Sequence, residues 1–488
     1  MNRALVLAAA LAFAAAGRLA GQEPTPPPAP RDTTRTDSLP ADSARADSLR
    51  AAILLADSLR ADSLRADSLA HADTAAAAQD TTPIIRSWRI AVPPAYRRPP
   101  HLGLAPFRYA LARHWGLVLA ANASGVNNSL NASDVGALML LNRRDSLRVE
   151  NAIDALGLVP PGKGLLGLVQ GGAGIHLGGP FGNHFALGFT GEGRAYSSFR
   201  VDDNAVALLR DGNGSRQSFS LGTTGGAALA TAEGGVHAVL RFGATADDDP
   251  GLRVIVGAGA RYLKPLAYAR GGSTIANGGT IRLTGDSIAA HVAVESQFTV
   301  ASQKNPIDVK GSGMASDFLL RLELPRPGLA LEAMLANVGT VKIQGVERRL
   351  ATFTVATTSL KVVKDSLDAA QFRVQDTTEV TVTLPRILRL AASAWVLPML
   401  QLDVAYTGAV SGDFAAPAVL EAGATLRLLR WFPLRVGIVR AGDYGNGFTG
   451  GFGIETRVLY LDVTGGMYGS APKTARGGGA RVEFGLFF

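Results

Sequence analysis

The chain ends in a strict alternation: Val482, Phe484, Leu486 and Phe488 fall on one side of an extended strand, with Arg481, Glu483, Gly485 and Phe487 on the other. Side chains of a strand point to opposite faces with a period of two, so this segment has one large apolar face and one that carries charge. The pattern returns upstream. Phe318, Leu320, Leu322 and Leu324 alternate with Asp317, Leu319, Arg321 and Glu323, and Leu402, Val404 and Tyr406 with Gln401, Asp403, Ala405 and Thr407. Earlier still, Phe185, Leu187 and Phe189 alternate with Ala186, Gly188 and Thr190, and Val236, Ala238, Leu240 and Phe242 with His237, Val239 and Arg241. From Lys163 onward the sequence reads as an all-β protein with one face of every strand apolar.

Alternation alone fits a sandwich as well as a barrel, so the polar face and the connections have to decide. Arg389, Asp403, Glu421, Arg427, Glu455, Arg457, Arg481 and Glu483 all lie opposite the large apolar residues of their strands, as do Asp317, Arg321 and Glu323. At mid-bilayer a lipid-facing Arg or Lys costs about 2–4 kcal/mol, whereas a lumen accommodates it. These eleven residues are therefore candidates for the lumen face. Short Pro-containing connections at Leu324 to Gly328, Val396 to Met399 and Arg430 to Pro433 alternate with longer polar ones, Gly408 to Ala418 and Arg440 to Gly447. Short turns on one side and long loops on the other are the signature of an outer-membrane barrel, and Trp395 and Trp431 sit where an aromatic girdle belongs. Counting from Trp115 to Phe488 at roughly 9 to 11 residues per crossing predicts a transmembrane antiparallel β-barrel of about 14 strands, within roughly 12 to 16. The count is open at Thr280 to Val300, one strand or two, and at Val346 to Thr383, a long outer loop with its own hairpin.

The N-terminus agrees with export. Met1-Asn2-Arg3 followed by the apolar run Ala4 to Ala16 and a small-residue edge at Ala20 to Gln22 reads as a signal peptide over residues 1–22. Beyond it no apolar run approaches the ~18 residues of a transmembrane helix. The absence of cysteine closes lipid anchoring through a lipobox, disulfides, thiolate metal sites and cysteine nucleophiles. The net charge of +8 comes from arginines scattered singly, which argues against a nucleic-acid partner.

Residues 23–83 form a Pro-rich and Ala-Asp-Ser-Leu-Arg repeat segment. Five residues advance about 500° around an α-helix, so its leucines spiral and build no core. The segment is expected to be a disordered periplasmic spacer, with a peptidoglycan or other periplasmic partner as the sharper alternative. Residues 84–162 are read as a lead-in, a first strand from Trp115 to Ala123, and plug or rim helices at Ser133 to Leu141 and Ser146 to Leu156; a further helix is expected at Asp203 to Leu209. Residues 163–488 form the main part of the barrel.

Motifs for chemistry are sparse. Gly157 to Lys163 has the spacing of a phosphate-binding loop, but Gly164 stands where Ser or Thr must hold Mg²⁺, and Pro160 and Pro161 remove amide donors. Asp247-Asp248-Asp249-Pro250-Gly251 lacks the spaced ligands of a Ca²⁺ loop and reads as a polar turn. His237 and His291 are read as lumen-facing structural residues. No catalytic residue, cofactor or metal site is assigned.

Three stretches carry a family resemblance: Gly257-Ala258-Gly259-Ala260-Arg261-Tyr262-Leu263-Lys264, Gly311-Ser312-Gly313-Met314-Ala315-Ser316-Asp317 opening a strand, and Asn337-Val338-Gly339 closing the next. They resemble the bacterial outer-membrane barrels similar to the long-chain fatty-acid transporter, a group that includes secretion-associated barrels and members with a domain of unknown function. The resemblance spans about Gly157 to Phe488 and implies a barrel that captures or passes an apolar ligand. The Asn-Pro-Ala opening of the group is missing, its nearest counterpart being Asn131-Ala132-Ser133.

The expected function is binding or passage of a small apolar solute by a barrel in outer-membrane lipid. The alternatives are an envelope scaffold or secretion-associated barrel, and an outer-membrane hydrolase. Phe484, Leu486 and Phe488 are the candidate signal read by the outer-membrane assembly machinery.

Overall fold

The computed structural model describes residues 107, 114–131, 159 and 162–488, the last range without 212–217, 221–223, 245–250, 274–279, 285–286, 300–308, 326–327, 358–372, 415–417, 430, 457 and 470–473. Its strands in chain order are β1 (Gly116–Asn127), β2 (Leu165–Phe181), β3 (Phe185–Val201), β4 (Ser218–Ser220), β5 (Gly225–Gly243), β6 (Arg253–Ser273), β7 (Thr280–Thr284), β8 (Ser287–Thr299), β9 (Gly311–Leu324), β10 (Leu329–Thr357), β11 (Arg373–Thr383), β12 (Arg386–Leu397), β13 (Leu400–Ser411), β14 (Val419–Leu429), β15 (Phe432–Arg440), β16 (Asn446–Glu455), β17 (Leu459–Tyr468) and β18 (Gly477–Phe487). Among the described residues one α-helix, α1 (Asp203–Asp211), follows β3, and a single 3-10 turn spans Gly442–Tyr444.

Fourteen of these strands close an antiparallel ring in the order β1, β2, β3, β5, β6, β9, β10, β12 to β18, and back to β1. Closure runs in unbroken register from Gly116 opposite Phe487 to Val126 opposite Gly477. An even number of strands places the start of β1 and the end of β18 at the same end. The turns between β2 and β3, β9 and β10, β12 and β13, β14 and β15, and β16 and β17 are short and lie at that end too; the opposite end carries the long loops.

The remaining strands stand beyond the ring on the long-loop side. β10 is 29 residues long and outruns its neighbours. Its first part pairs with β9 and β12, and its second with β8, from Val346 opposite Thr299 to Thr357 opposite Ile288, and with β11. β7 pairs with β8, and β4 with β7, which completes the extension. Residues 280–300 therefore hold two strands, and the segment from Val346 onward is wall of this extension.

Burial follows the alternation. Leu119, Phe189, Leu320, Leu390, Val404, Leu420 and Phe484 are exposed on the outside of ring strands, while their neighbours in sequence are buried. A continuous apolar belt is an aggregation surface in water and the natural surface in hydrocarbon, and the closed ring pairs each strand with a neighbour on both sides and leaves no edge, so the ring spans a bilayer. Aromatic side chains gather at the short-turn end: Trp115 packs edge-on to Phe181 at 5.1 Å and donates Nε1–H to the Pro180 carbonyl at 3.1 Å, and Trp431 meets Phe432 at 5.7 Å.

Several boundaries differ from the sequence reading. The first strand runs on to Asn127 and β13 to Ser411, because small residues continue a strand whose backbone partners are in place. α1 occupies the expected Asp203 to Leu209 stretch at the long-loop rim, where Ala205 and Val206 pack on Leu130, Val159, Leu165 and Val201. Asp202 caps it, its Oδ1 accepting the Asn204 N–H at 3.0 Å. The expected helices at 133–141 and 146–156, the Asp247 to Asp249 turn, the spacer and the signal peptide lie outside the described residues. Asn337-Val338-Gly339 does not end a strand. β10 passes through it by a bulge between Leu335 and Val338, with Asn337 at φ 60°, and continues to Thr357.

Candidate functional site

The inward row of β6 organises the interior. Ile255, Gly257, Gly259, Arg261 and Leu263 share that face by parity, and the two glycines leave room for side chains from elsewhere. A Cβ on Gly257 would come within 2.9 Å of the Phe107 ring, and one on Gly259 within 2.1 Å of the His237 ring. Phe107, ahead of β1 in the chain, is only 1% exposed, packed among Ala186, Val239, Ile255, Leu319, Met334 and Ala336. Its ring meets His237 edge-on, 5.4 Å between centroids and 81° between planes. The lead-in thus puts an aromatic side chain into the half of the interior nearer the short turns.

Arg261 is the hub of the layer above it. Its Nε and Nη2 donate to the two carboxylate oxygens of Asp317 at 2.8 and 3.1 Å, Nη1 donates to Glu233, and Nη2 also reaches Asn337 Oδ1. Arg194 donates to Glu192 at 2.7 Å and to Asn337 Oδ1 at 3.3 Å, and lies 3.5 Å from Glu233. His176 Nε2 lies 3.1 Å from Glu192, and His237 Nε2 lies 3.2 Å from Asp317. Asn337 completes the layer: its N–H donates to Asp317 Oδ1 at 2.8 Å and its Nδ2 to the Pro385 carbonyl at 3.2 Å. Buried charge is tolerated only when paired and hydrogen-bonded, and each carboxylate of this layer, Glu192, Glu233 and Asp317, has at least two partners.

Two further ion-paired groups fill the interior. Arg321 bonds Glu323 at 2.7 Å and Glu332 at 3.0 Å, with Arg253 3.2 Å from Glu323 and Arg389 3.8 Å from Glu332. Across β14 to β17, Glu455 sits between Arg427 at 2.6 Å and Arg435 at 2.8 Å, and Arg435 also pairs with Asp462. Arg481 lies 3.4 Å from Glu483, which accepts from the Tyr460 hydroxyl at 3.4 Å. Arg389 donates to Thr407 at 3.2 Å, and Glu421 accepts from Thr449 at 3.4 Å.

Of the residues singled out from the sequence, Asp317, Arg321, Arg389, Asp403, Glu421, Arg427, Glu455, Arg481 and Glu483 are buried, Glu323 is half-buried and ion-paired, and Arg457 lies outside the described residues. Phe484, Leu486 and Phe488 are on the outside, Phe488 75% exposed with its N–H bonded to the Trp115 carbonyl at 2.9 Å. His237 is in the interior, but His291 is exposed on the extension, where its Nδ1 lies 2.7 Å from Thr354 Oγ1; parity on a strand gives a face without saying whether that strand belongs to the ring. The sequence reading missed Phe107, His176, Glu192, Arg194, Glu233, Glu332, Arg435 and Asp462, and gave Arg261 and Asn337 no place in the interior. The strand residues share parity with their small inward neighbours, a usable signal; Phe107 carries none.

At the long-loop end the inward residues turn apolar. Tyr196, Leu229, Leu263, Tyr268, Val309, Ile343, Val382, Leu384 and Phe414 form one buried cluster, with the Phe414 ring stacked on Tyr196 at 5.8 Å and 29°. A second cluster, Val126, Leu168, Val419, Val439, Tyr444 and Tyr468, lines the mouth beside β1 and β15. From this end inward the order is apolar mouth, ionic layer, Phe107. Among the described residues there is no group of three or more His, Cys, Asp or Glu placed to hold a metal ion.

The ring, its apolar belt and its ion-paired inward residues define a membrane-spanning β-barrel whose described inward side chains are largely buried against one another. Among solved structures it is similar to the toluene transporter TbuX of Ralstonia pickettii, at 10% identity over 78% of this chain and 92% of that one, TM-score 0.42. It is also similar to the toluene transporter TodX of P. putida, at 7% identity, 78% and 92% coverage and TM-score 0.44, and to a FadL homologue of Pseudomonas aeruginosa, at 10% identity, 83% and 97% coverage and TM-score 0.38. No family model and no curated protein matches the chain.

Proposed function

We propose that this chain is an outer-membrane barrel that takes up a small apolar solute at its long-loop mouth and passes it inward when the interior opens. The observation that carries this reading is the mouth cluster. The inward face of the barrel wall, ion-paired in the layer below, becomes mainly aliphatic and aromatic where a solute would first arrive, a lining suited to apolar surface. No chemical step is part of this function. Export by a signal peptide over residues 1–22, a spacer in the periplasm and recognition of the C-terminal strand by the assembly machinery belong to the same proposal. The aromatic, outward-facing Phe484 and Phe488 support the last of these.

The test is uptake of 1-N-phenylnaphthylamine by proteoliposomes and its binding in detergent, compared between the parent and Leu229→Asn/Leu263→Asn. Binding weakened at least about tenfold is expected, since two buried leucine contacts of about 1.5–3 kcal/mol each are lost. Undiminished binding in the variant, or none in the parent, would overturn the reading. An envelope scaffold without transport is the second reading, favoured by the filled interior. It expects no uptake.

A further inference from the structure

We propose that the outward face of β9 to β14 carries a binding site for one anionic lipid, with an acyl chain lying in a groove of the wall and the phosphate held by Arg440. The groove has a volume of about 410 Å³ and an almost wholly apolar lining. It is written in two adjacent cross-strand rows. One runs Leu320, Ala333, Leu390, Tyr406, Leu420; the other, one step nearer the short turns, runs Leu322, Leu331, Ala392, Val404. Each row holds one alanine among larger side chains, on β10 in the first and on β12 in the second. The low ground therefore crosses the wall obliquely, between leucines that stand exposed on the outside of the ring.

All of the apolar belt is wetted by lipid, and two features set this stretch apart. The first is length. Leu320 to Leu420 takes four steps between strands of about 4.8 Å, or roughly 19 Å, comparable with the ~15 Å depth of hydrocarbon in one leaflet. A chain lying lengthwise fills such a groove. The second is the chemistry at its upper end. The first row continues from Leu420 to Arg440, and these two residues stand at the long-loop ends of β14 and β15. Arg440 is exposed, shares the outward face with Val436 and Ile438 by parity, and is paired with no acid among the described side chains. Tyr406 leans the same way: a Cβ on Gly408 would lie 2.9 Å from its hydroxyl oxygen, so its polar tip points up the strand toward the headgroups. An outward cation at that level attracts phosphate by charge and by hydrogen bonding. A second copy of the chain meeting this face about a two-fold axis would instead set Arg440 on the side that carries the partner's arginine. The inference needs the bilayer-spanning ring and not the uptake of a solute.

The test strips the full chain of lipid by detergent exchange, confirms folding by heat-modifiable mobility, and titrates it with palmitoyl-oleoyl phosphatidylglycerol or with phosphatidylcholine of the same chains, counting bound lipid by native mass spectrometry. One phosphatidylglycerol per barrel is expected, bound about tenfold more tightly than phosphatidylcholine. Ala333→Leu/Ala392→Leu fills the floor with side chains that a lipid-facing surface tolerates, and should weaken both lipids about tenfold or more. Arg440→Gln should abolish the preference for phosphatidylglycerol, whereas Arg386→Gln, an exposed arginine off the row, should keep it. Ala258→Leu, exposed on the same belt away from the groove, should change neither affinity. The mouth variant Leu229→Asn/Leu263→Asn should bind lipid as the parent does, which keeps this site distinct from solute capture; lipid lost in that variant would lie in the mouth and overturn the proposal. Equal affinity for the two lipids in the parent, binding indifferent to Ala333→Leu/Ala392→Leu, or a lipid-free pair of barrels in place of a lipid-bound one would overturn it as well.

Discussion

Arg261→Met separates a closed interior from a water-filled one. Arg261 makes four contacts, two to Asp317, one to Glu233 and one to Asn337. Removing it does not strand either acid completely. Asp317 keeps the Asn337 N–H at 2.8 Å and His237 at 3.2 Å, while Glu233 keeps the Thr231 hydroxyl at 2.9 Å and Arg194 at 3.5 Å. Breaking a buried pair by removing one partner costs about 3–5 kcal/mol, and the surviving contacts put this case at the lower end, about 3 kcal/mol, or roughly two orders of magnitude in the folding equilibrium. Methionine keeps most of the stem volume, so little of the loss is a cavity. Urea unfolding in lipid vesicles, followed by tryptophan fluorescence, measures it. Adding Asp317→Asn removes one of the uncompensated charges and should recover about 1 kcal/mol or more. A cost below about 1 kcal/mol for Arg261→Met would mean that water screens these charges as it does on a surface, and the closed interior would be refuted.

Gly259→Ala drives a methyl into the His237 ring, at 2.1 Å before relaxation, and should cost about 1–3 kcal/mol by unfolding, whereas Gly234→Ala, with nothing within 4 Å, should be near neutral; equal costs would discard the seat. In the extension, burial raises the Glu295 carboxyl, but hydrogen bonds from Arg348 and Gln297 and the charge of Arg348 outweigh that and hold it below its ordinary 4.5. A lowered carboxylate stabilises above its unfolded value and loses that contribution as pH falls through its folded value. Hydrogen-exchange protection of β8 and the second part of β10 should therefore hold from neutrality down to about 4.5 and decline below it, and Glu295→Gln should remove that decline; loss already between pH 7 and 5 would contradict the assignment. Deletion of Phe488 should lower the yield of heat-modifiable, membrane-inserted barrel, and an unchanged yield would remove its assembly role.

The alternation made the faces legible but not the partners. That Arg427 and Glu455 share the inward face follows from parity on their own strands. That Glu455 joins Arg427 to Arg435 depends on the registers of β14, β15 and β16, which are set by turn geometry. Arg481 and Glu483, two apart on one strand, were readable directly. Asn337-Val338-Gly339 was misread as a strand end because Asn and Gly are turn formers; here Asn337 is a bulge, and Gly339 is needed because a Cβ would lie 2.0 Å from the Met314 carbonyl across the ladder. Phe107 was invisible because its place is opened by Gly257, about 150 residues away in the sequence, on a strand that looks merely small.

The vertical order of the interior restricts how an apolar solute can move. A molecule that suits the mouth, among Leu229, Leu263 and Phe414, is the wrong occupant for the layer below, where it would have to replace hydrogen bonds that Arg261 and Asp317 need. The described state therefore favours holding such a solute over conducting it, and passage requires the ionic layer to part. Most of the wall resists this, because long stretches such as β2 with β3 and β17 with β18 are continuous ladders. The least costly places to yield are where the ladder is already interrupted, as between Ala230 and Thr231 in β5 and between Leu335 and Val338 in β10, and the ionic layer touches both, through Thr231 on Glu233 and Asn337 on Arg261.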